Sequence, residues 1–415
     1  MRVVTLLAAA AAAASGWAGA REGERVRDMG SDAGHHDDHA PTSTPRVFMR
    51  GAAMGMLPLF DCNGTCSQYR ANATAAPEDA LQILADYGLN TVRLRLFGPG
   101  TFPNNSYAAL PGVLAMAKRA QSAGLAISLD IFYTQWYGGG DSYYLGRRTP
   151  PPWHNLSFPE LVAETYHYTR LAMQALAAQG TVPTSVQIGN EINCGLFHPW
   201  EGKPCSSGAE VCTCEGNWKN LADVVTAGSK AVRSVNPDAE IIIQYAASKE
   251  LGNGDKWGDL HAFYQQLSAA GAAYDAMGLS FYQIWGAANV SNLCAMRTLA
   301  GSLPDKRIYV IETGYPYMAG GHAPSNMRPR PQFDVSPEGQ VAWLRAVLFT
   351  VEHGMWGRGA GVSWWGAEYA SKCSGDECAG FWDMDFTGLP VLTTQAFRPT
   401  DAQSPPPGGV VCPPL

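Results

Sequence analysis

Residues 80–96 read ALQILADYGLNTVRLRL, one stretch that contains a helix, its end and a strand. Pro77-Glu-Asp starts a segment whose apolar residues recur with helical spacing, and Gly88 is a residue suited to ending it. The run at 91–96 that follows has the length and apolar content of a buried strand. The stretch therefore predicts one helix–strand unit, and the rest of the chain repeats this unit.

Eight strand-like runs alternate with helix-like segments along the chain. The runs lie at 47–54, 91–96, 125–132, 185–192, 240–245, 276–282, 307–312 and 361–365. Near-continuous apolar strands separated by helices indicate a parallel sheet covered by helices. Eight such units predict an α/β fold, a closed (β/α)8 TIM barrel in a single domain. The alternative is an open doubly wound sheet, which would need a phosphate-type glycine loop after the first strand, and the sequence has none there.

Composition and charge limit the kind of protein this is. The chain has 415 residues, 46% apolar content and a net charge of −7, which favours one large domain and neither nucleic acid nor an anionic membrane as a partner. We divide it into a signal peptide at 1–20, a disordered lead-in at 21–45, a barrel domain at 46–398 and a proline-rich tail at 399–415. The basic start, the alanine run and Ala18-Gly-Ala20 indicate the signal peptide, with an ordinary buried helix as the alternative.

Glycosylation sequons independently predict secretion. They begin at Asn63, Asn72, Asn104, Asn155 and Asn289, and together with a signal peptide they indicate a secreted, extracellular glycoprotein.

The cysteines favour the same route. The chain has ten cysteines, and an even number in a secreted protein predicts disulfide bonds. Cys62/Cys66 and Cys373/Cys378 are close enough in sequence for local bridges, and Cys412 is suited to tether the tail. A zinc site in the cluster at 205–214 is the alternative, but that cluster lacks the usual ligand spacing. We expect neither a metal nor another cofactor.

Two glutamates stand at the ends of strand-like runs: Glu191 in SVQIGNEI (185–192) and Glu312 in IYVIETGYP (308–316). A charge at the mouth of a buried parallel strand is costly, and the carboxyl ends of barrel strands form the active site of this fold. Two facing carboxylates are what cleavage of a glycosidic bond needs, at a separation of about 5–5.5 Å if configuration is retained. The alternative is that each glutamate caps a helix or pairs with an arginine.

Several segments together resemble glycoside hydrolase family 53, the arabinogalactan endo-β-1,4-galactanases. They are RGAAMGMLPL (50–59), ALQILADYGLNTVRLRL (80–96), AMAKRA (115–120), VQIGNEI (186–192), GLSFY (278–282) and VIETGYP (310–316). The resemblance runs from about 50 to 390, and it implies a (β/α)8 barrel that hydrolyses internal β-1,4-galactosyl links with retention. The implied partner is a polysaccharide, the β-galactan side chains of pectin, and we expect a monomer that binds neither nucleic acid nor membrane.

The resemblance also implies roles for individual residues. Glu191 would be the acid/base and Glu312 the nucleophile, while Asn190 would contact the sugar 2-hydroxyl. Tyr282 would position the nucleophile. An arginine of the second strand would hold the nucleophile ionised. We choose Arg93 over Arg95, on the expectation that the two side chains point to opposite faces of the strand.

Aromatic side chains near strand ends are candidates for contact with the apolar faces of sugar rings. We choose Trp285, by its position in the family, and one of the pair Trp364 and Trp365.

The chain departs from the family at three positions near the expected site. Phe132 stands where the family has a histidine after the third strand, and Gln244 replaces a histidine at the end of the fifth. Gly366 replaces a glutamate on the eighth, which we expect to leave room in the site, and Glu368 is nearby but out of register. A hydrolase of another β-linked glycan is therefore an alternative, as is a non-catalytic carbohydrate-binding barrel, although binding alone does not require the glutamate pair. A lipase or peptidase lacks the expected motifs.

Overall fold

A computed structural model describes most of the chain after residue 45. The described residues are 46–62, 68–101, 106–134, 149–193, 195–197, 211–212, 216–247, 256–285, 289–319, 331–370, 378–383 and 385–415. The predicted signal peptide and lead-in, the sequons at Asn63 and Asn104, and most of the cysteine cluster at 205–214 lie outside them. Phe48–Leu415 forms one compact unit.

Eight parallel strands close into a barrel, as predicted. The strands of the described residues are β1 (Met49–Ala53), β2 (Thr91–Leu96), β3 (Ala126–Ile131), β4 (Ser185–Ile188), β5 (Gly195–Leu196), β6 (Val211–Cys212), β7 (Glu240–Ala246), β8 (Ala276–Ser280), β9 (Arg307–Thr313) and β10 (Gly359–Trp364). The barrel order is β1-β10-β9-β8-β7-β4-β3-β2, and β5 and β6 form a separate antiparallel pair. Nearly every barrel residue is buried, because side chains inside the barrel pack on each other and those outside pack on helices.

Helices cover the outside of the barrel. They are α1 (Leu57–Phe60), α2 (Ala80–Asp86), α3 (Leu110–Ser122), α4 (Phe158–Ala178), α5 (Trp218–Arg233), α6 (Lys256–Ala269), α7 (Arg297–Ser302), α8 (Pro337–Gly354) and α9 (Pro390–Thr393). Residues at the helix ends account for their bounds, and the stop predicted at Gly88 is confirmed. Ser157 and Glu160 form the capping box of α4, Ser336 caps α8, and Gly88 follows α2 with φ +103°, a conformation that glycine adopts without strain.

The tail is fixed to the barrel by its cysteine. Cys412 forms a disulfide with Cys294, and its backbone N–H donates to the carbonyl of Gly354 at the end of α8. Cys62 and Cys378 are also disulfide-bonded, and the local pairings predicted for them involve residues outside the described part. The tail therefore packs against the helix layer.

Strand β4 is shorter than predicted, and this changes the setting of Glu191. The strand ends at Ile188, and Gly189 with φ +78° turns the chain immediately afterwards. Glu191 lies in that turn, while Glu312 lies within β9 as expected. Both still stand at the carboxyl ends of barrel strands, where this fold builds its sites.

Candidate active site

A buried arginine organises the carboxyl end of the barrel. Arg93 of β2 is 0% exposed. Its guanidinium lies 2.6 Å from Glu312 Oε1 and 2.7 Å from Asp130 Oδ2. It also donates to side-chain oxygens of Gln187 (2.9 Å), Asn190 (3.1 Å) and Gln244 (3.2 Å). An arginine has only donors, so these five oxygens are held around one cation.

Glu312 is held from two sides. Its Oε1 accepts from Arg93, and its Oε2 accepts a 3.1 Å hydrogen bond from the hydroxyl of Tyr282. Burial, and then the negative charge of Glu312, raise the pKa of Tyr282 well above its ordinary value. The phenol therefore stays protonated and remains a donor to Glu312 Oε2.

Glu191 is held by the neighbouring strands. Its backbone has φ +48°, a left-handed conformation that costs a non-glycine residue about 1 kcal/mol. Its Oε1 accepts a 2.5 Å hydrogen bond from the hydroxyl of Ser280, and its backbone N–H donates to Gln244 Oε1 at 3.3 Å. A residue kept in a strained conformation by surrounding contacts is typical of functional sites.

Strand β8 connects the two glutamates. Ser280, its last residue, bonds to the carboxylate of Glu191 and pairs in register with Glu312. A register shift separates Leu279 from Ser280 along the β8–β9 pair, and such bulges re-aim side chains beside active sites. The structure therefore brings both Glu191 and Glu312 next to Ser280. The predicted separation of 5–5.5 Å stays a prediction.

Asp130 of β3 is a third carboxyl group of the cluster. It is 0% exposed, and burial raises its pKa to about 7 even though Arg93 opposes the shift. Asp130 therefore changes charge near neutral pH, and it shares its cation with Glu312.

The neutral layer around Arg93 was not predicted as part of the site. Gln187 and Gln244 are fully buried and hydrogen-bonded to each other as well as to Arg93. Gln244 was expected only as a departure from the family, and neither Gln187 nor Ser280 was among the predicted site residues. A polar residue inside an otherwise apolar buried strand is the signal that identifies such residues, because a buried amide needs partners.

The expectation that Arg93 and Arg95 point to opposite faces is wrong. Residues two apart on a strand share a face, and Arg95 also enters the site end of the barrel. Its guanidinium lies 4.2 Å from the ring centre of Trp365 and 3.9 Å from Glu368 Oε1. Glu368 is 0% exposed and accepts from the backbone N–H of Met56. Arg95 and Glu368 thus form a second buried ion pair beneath a partly exposed tryptophan.

Only one of the two strand-end tryptophans reaches the surface. Trp364 is 0% exposed, packs on Phe381 and donates its indole N–H to the carbonyl of Ala379. As a sugar platform it is therefore excluded, and Trp365, which is partly exposed, remains. The side chain of Trp285 lies outside the described part of the structure.

The expected space at Gly366 is also absent. Gly366 has φ +69°, and a Cβ placed on it would lie 2.6 Å from the ring of Tyr369. The tyrosine ring therefore occupies the volume next to this glycine. Phe132 is 2% exposed and packs 4.3 Å from the ring of Phe97, so this position carries an aromatic contact instead of a polar one.

The described residues contain no group of three or more His, Cys, Asp or Glu side chains arranged to hold a metal ion. Nor do they include a helix that is both long and apolar enough to cross a membrane.

Comparison with known proteins agrees with this geometry. The model of Glycosyl hydrolase family 53 matches residues 49–390. A probable arabinogalactan endo-β-1,4-galactanase A of Aspergillus terreus is 29% identical over 335 residues, which are 78% of this chain and 87% of that protein.

Solved structures match the fold over nearly the whole barrel. The GH53 catalytic domain of Ignisphaera aggregans has a TM-score of 0.70 and 25% identity, and the match covers 86% of this chain and 97% of that one. A structure from a study of two fungal β-1,4-galactanases has a TM-score of 0.67 and 26% identity, with 85% and 99% covered.

Proposed function

The chain belongs to Glycosyl hydrolase family 53, and from that premise we propose that it is an endo-β-1,4-galactanase that cleaves internal galactosyl links of arabinogalactan. The observation that carries the proposal is the shared placement of Glu191 and Glu312, each bonded to the cluster around Arg93 and Ser280. The galactanase names of the similar proteins support the choice of substrate.

We assign the two glutamates to the two halves of a double displacement. Glu312, paired with Arg93, attacks the anomeric carbon while Glu191 donates its proton to the leaving oxygen, which breaks the glycosidic bond. Glu191 then takes a proton from water, and that oxygen displaces Glu312 from the sugar. Two inversions give net retention. We assign Asn190, which accepts from Arg93, to bond the sugar 2-hydroxyl, and Tyr282 to keep Glu312 oriented.

Azide distinguishes the two roles. Glu312→Ala should nearly abolish hydrolysis, and azide should give no product of retained configuration. Glu191→Ala should spare the first step for substrates with good leaving groups, which need little protonation, and azide should trap a product of retained configuration. The reverse pattern would exchange the two assignments.

Substrate choice is the second part of the proposal. Phe132, where the family has a histidine, offers no hydrogen bond, and polar selectivity depends on groups that the wrong sugar leaves unpaired. We expect weaker discrimination between galactan and other β-linked glycans than typical members show. Trp365, stacked on Arg95, supplies apolar contact for a sugar ring.

Digestion of purified β-galactan, β-mannan, β-glucan and xylan, with sizing of the products, tests this directly. Galactan should be cut to a mixture of internal fragments, with weaker activity on at least one other glycan. Phe132→His should sharpen the preference. Strict galactan specificity of the unmodified protein would refute the selectivity argument, and binding without cleavage of any glycan would refute the enzyme assignment.

We also infer secretion as a monomer. The signal-peptide pattern at 1–20, the disulfide between Cys294 and Cys412 and the sequons at Asn72, Asn155 and Asn289 support this route. Mass spectrometry of the native protein should find its cysteines oxidised and its first residues removed.

A further inference from the structure

A series of hydrogen bonds links Arg93 to Glu191 through Gln244 and Ser280, and every bond in it has a fixed donor. Arg93 can donate but never accept, so the side-chain atom of Gln244 that faces it at 3.2 Å is the amide oxygen. The backbone N–H of Glu191 points at the same atom, and it too can only donate. The orientation of the Gln244 amide is therefore fixed by two independent donors.

The fixed amide determines where the proton of Ser280 goes. With its oxygen toward Arg93, Gln244 presents its NH2 group to the Ser280 hydroxyl at 2.8 Å. The serine oxygen accepts this bond, and its own proton lies on the 2.5 Å bond to Glu191 Oε1. Gln187 reinforces the arrangement, because its NH2 group donates both to the carbonyl of Gly189 and to Gln244 Oε1.

We propose that Ser280 is a positioning residue that keeps Oε1 of Glu191 as an acceptor and so places the acid proton on Oε2. This inference rests on the proposed role of Glu191 as acid/base. Neither Gln244 nor Ser280 ionises in the working pH range. The direction of these hydrogen bonds is therefore the same in both halves of the reaction.

The contact acts differently on the two half-reactions. A hydrogen bond to a charged oxygen is roughly twice as strong as one to a neutral oxygen. Ser280 therefore stabilises Glu191 more after proton transfer than before it, and only such differential contacts accelerate a step. The hydrogen bond from Ser280 therefore accelerates bond cleavage with a poor leaving group. It does not accelerate removal of the enzyme-bound sugar, because Glu191 takes up a proton in that step.

A series of aryl β-galactobiosides with increasingly poor leaving groups tests the inference. Ser280→Ala should lower kcat/KM about tenfold to a hundredfold for the poorest leaving groups, as expected for loss of one bond to a charged group. For a dinitrophenyl leaving group the loss of kcat/KM should be under about twofold. Where removal of the bound sugar is the slow step, kcat should not fall. Ser280→Thr keeps the hydroxyl and should restore the parent pattern.

Two further variants keep the test decisive. Ser280→Cys replaces the hydroxyl by a weaker donor of similar size, so it should show an intermediate loss with the same dependence on leaving group, even if the alanine variant does not fold. Ser185→Ala is the matched control, because this buried serine also donates a hydrogen bond inside the barrel, to Ser128 at 2.9 Å. It should leave the whole series unchanged.

The same series run on Glu191→Gln separates failure of the inference from failure of the function. If Glu191→Gln loses activity mainly with poor leaving groups while Ser280→Ala loses it uniformly, Ser280 has a purely structural role and the inference is overturned. If Glu191→Gln itself loses activity uniformly, Glu191 is not the acid and the proposed function is overturned.

Discussion

Replacing Arg93 by methionine should destabilise the protein by an amount that depends on pH. The guanidinium is 0% exposed and lies 2.6 Å from Glu312 and 2.7 Å from Asp130. Without it, the buried carboxyl groups of Glu312 and Asp130 lose the cation that they share. Breaking one buried ion pair costs about 3–5 kcal/mol, and we expect about 5 kcal/mol at pH 8, the top of that range, because two partners are lost.

The pH dependence follows from the protons that the folded variant keeps. Burial already raises the pKa of Asp130 to about 7 against the opposing effect of Arg93. Removing the cation raises the proton affinity of Asp130 further, so the folded variant should hold up to one proton more than the parent above pH 7, whereas well below pH 7 Asp130 is protonated in both proteins. A group whose pKa is raised on folding stabilises at low pH, and that stability is lost as pH rises. At about 1.4 kcal/mol per pH unit, the cost should fall from about 5 kcal/mol at pH 8 to about 3.5 kcal/mol at pH 5, with most of the change above pH 7.

Urea unfolding followed by tryptophan fluorescence, with disulfides intact, measures this difference. Gln187→Leu is the control, because it removes a hydrogen bond to Arg93 but no charge, and its cost should be constant across the same range. A cost of Arg93→Met that is equal at pH 5 and pH 8 would show that the cation does not offset the carboxyl groups, and the account of the cluster would fail.

Substitutions at the tail cysteine, at the tryptophan pair and at Gly366 give separable outcomes. Cys412→Ser opens a disulfide with a sequence separation of 118 residues and should lower the free energy of unfolding by about 4–5 kcal/mol in the chain-entropy account; urea unfolding checks this, and an unchanged value would mean that the tail contributes no constraint. Trp365→Ala should raise KM for galacto-oligosaccharides with little loss of stability, whereas Trp364→Ala should cost about 3–5 kcal/mol of stability; the opposite pattern in kinetics and unfolding would exchange their roles. Gly366→Ala should cost about 1 kcal/mol or more, from its positive φ and the 2.6 Å approach to Tyr369; a thermal midpoint at or above the parent's would show that the ring moves aside freely.

The fold and the central residues were predictable because their signals are local. Each barrel strand is a short buried run preceded or followed by a helix with its own start and stop residues, and eight repetitions leave little choice of architecture. Glu191 and Glu312 stand at strand ends, where the fold itself determines which side chains meet. Their prediction therefore needed only the position of each residue within its own segment.

The rest of the site depends on contacts between distant segments. Nothing in Trp364-Trp365 indicates which of the two rings is buried against Phe381. Cys294 and Cys412 were two of ten candidates for pairing, and spacing alone favours near neighbours.

Ser280 and Gln187 were missed, and Gln244 was predicted only as a departure from the family, for a different reason. Their side chains are neutral, so they matter only through the direction of their hydrogen bonds, which no composition or period encodes. Arg95 was a different case, because the strand periodicity of two already places it on the same face as Arg93.

Closure of the barrel has a consequence for how the protein is made. Strand β1 pairs with β2 on one side and with β10 on the other, and β10 is synthesised after the other seven barrel strands. Until it emerges, β1 and β9 each present a bare row of backbone donors and acceptors, which is a template for pairing with another chain. A translation product that stops before Gly359 is therefore not a smaller version of the same enzyme, but a ribbon with two open edges that is prone to self-association.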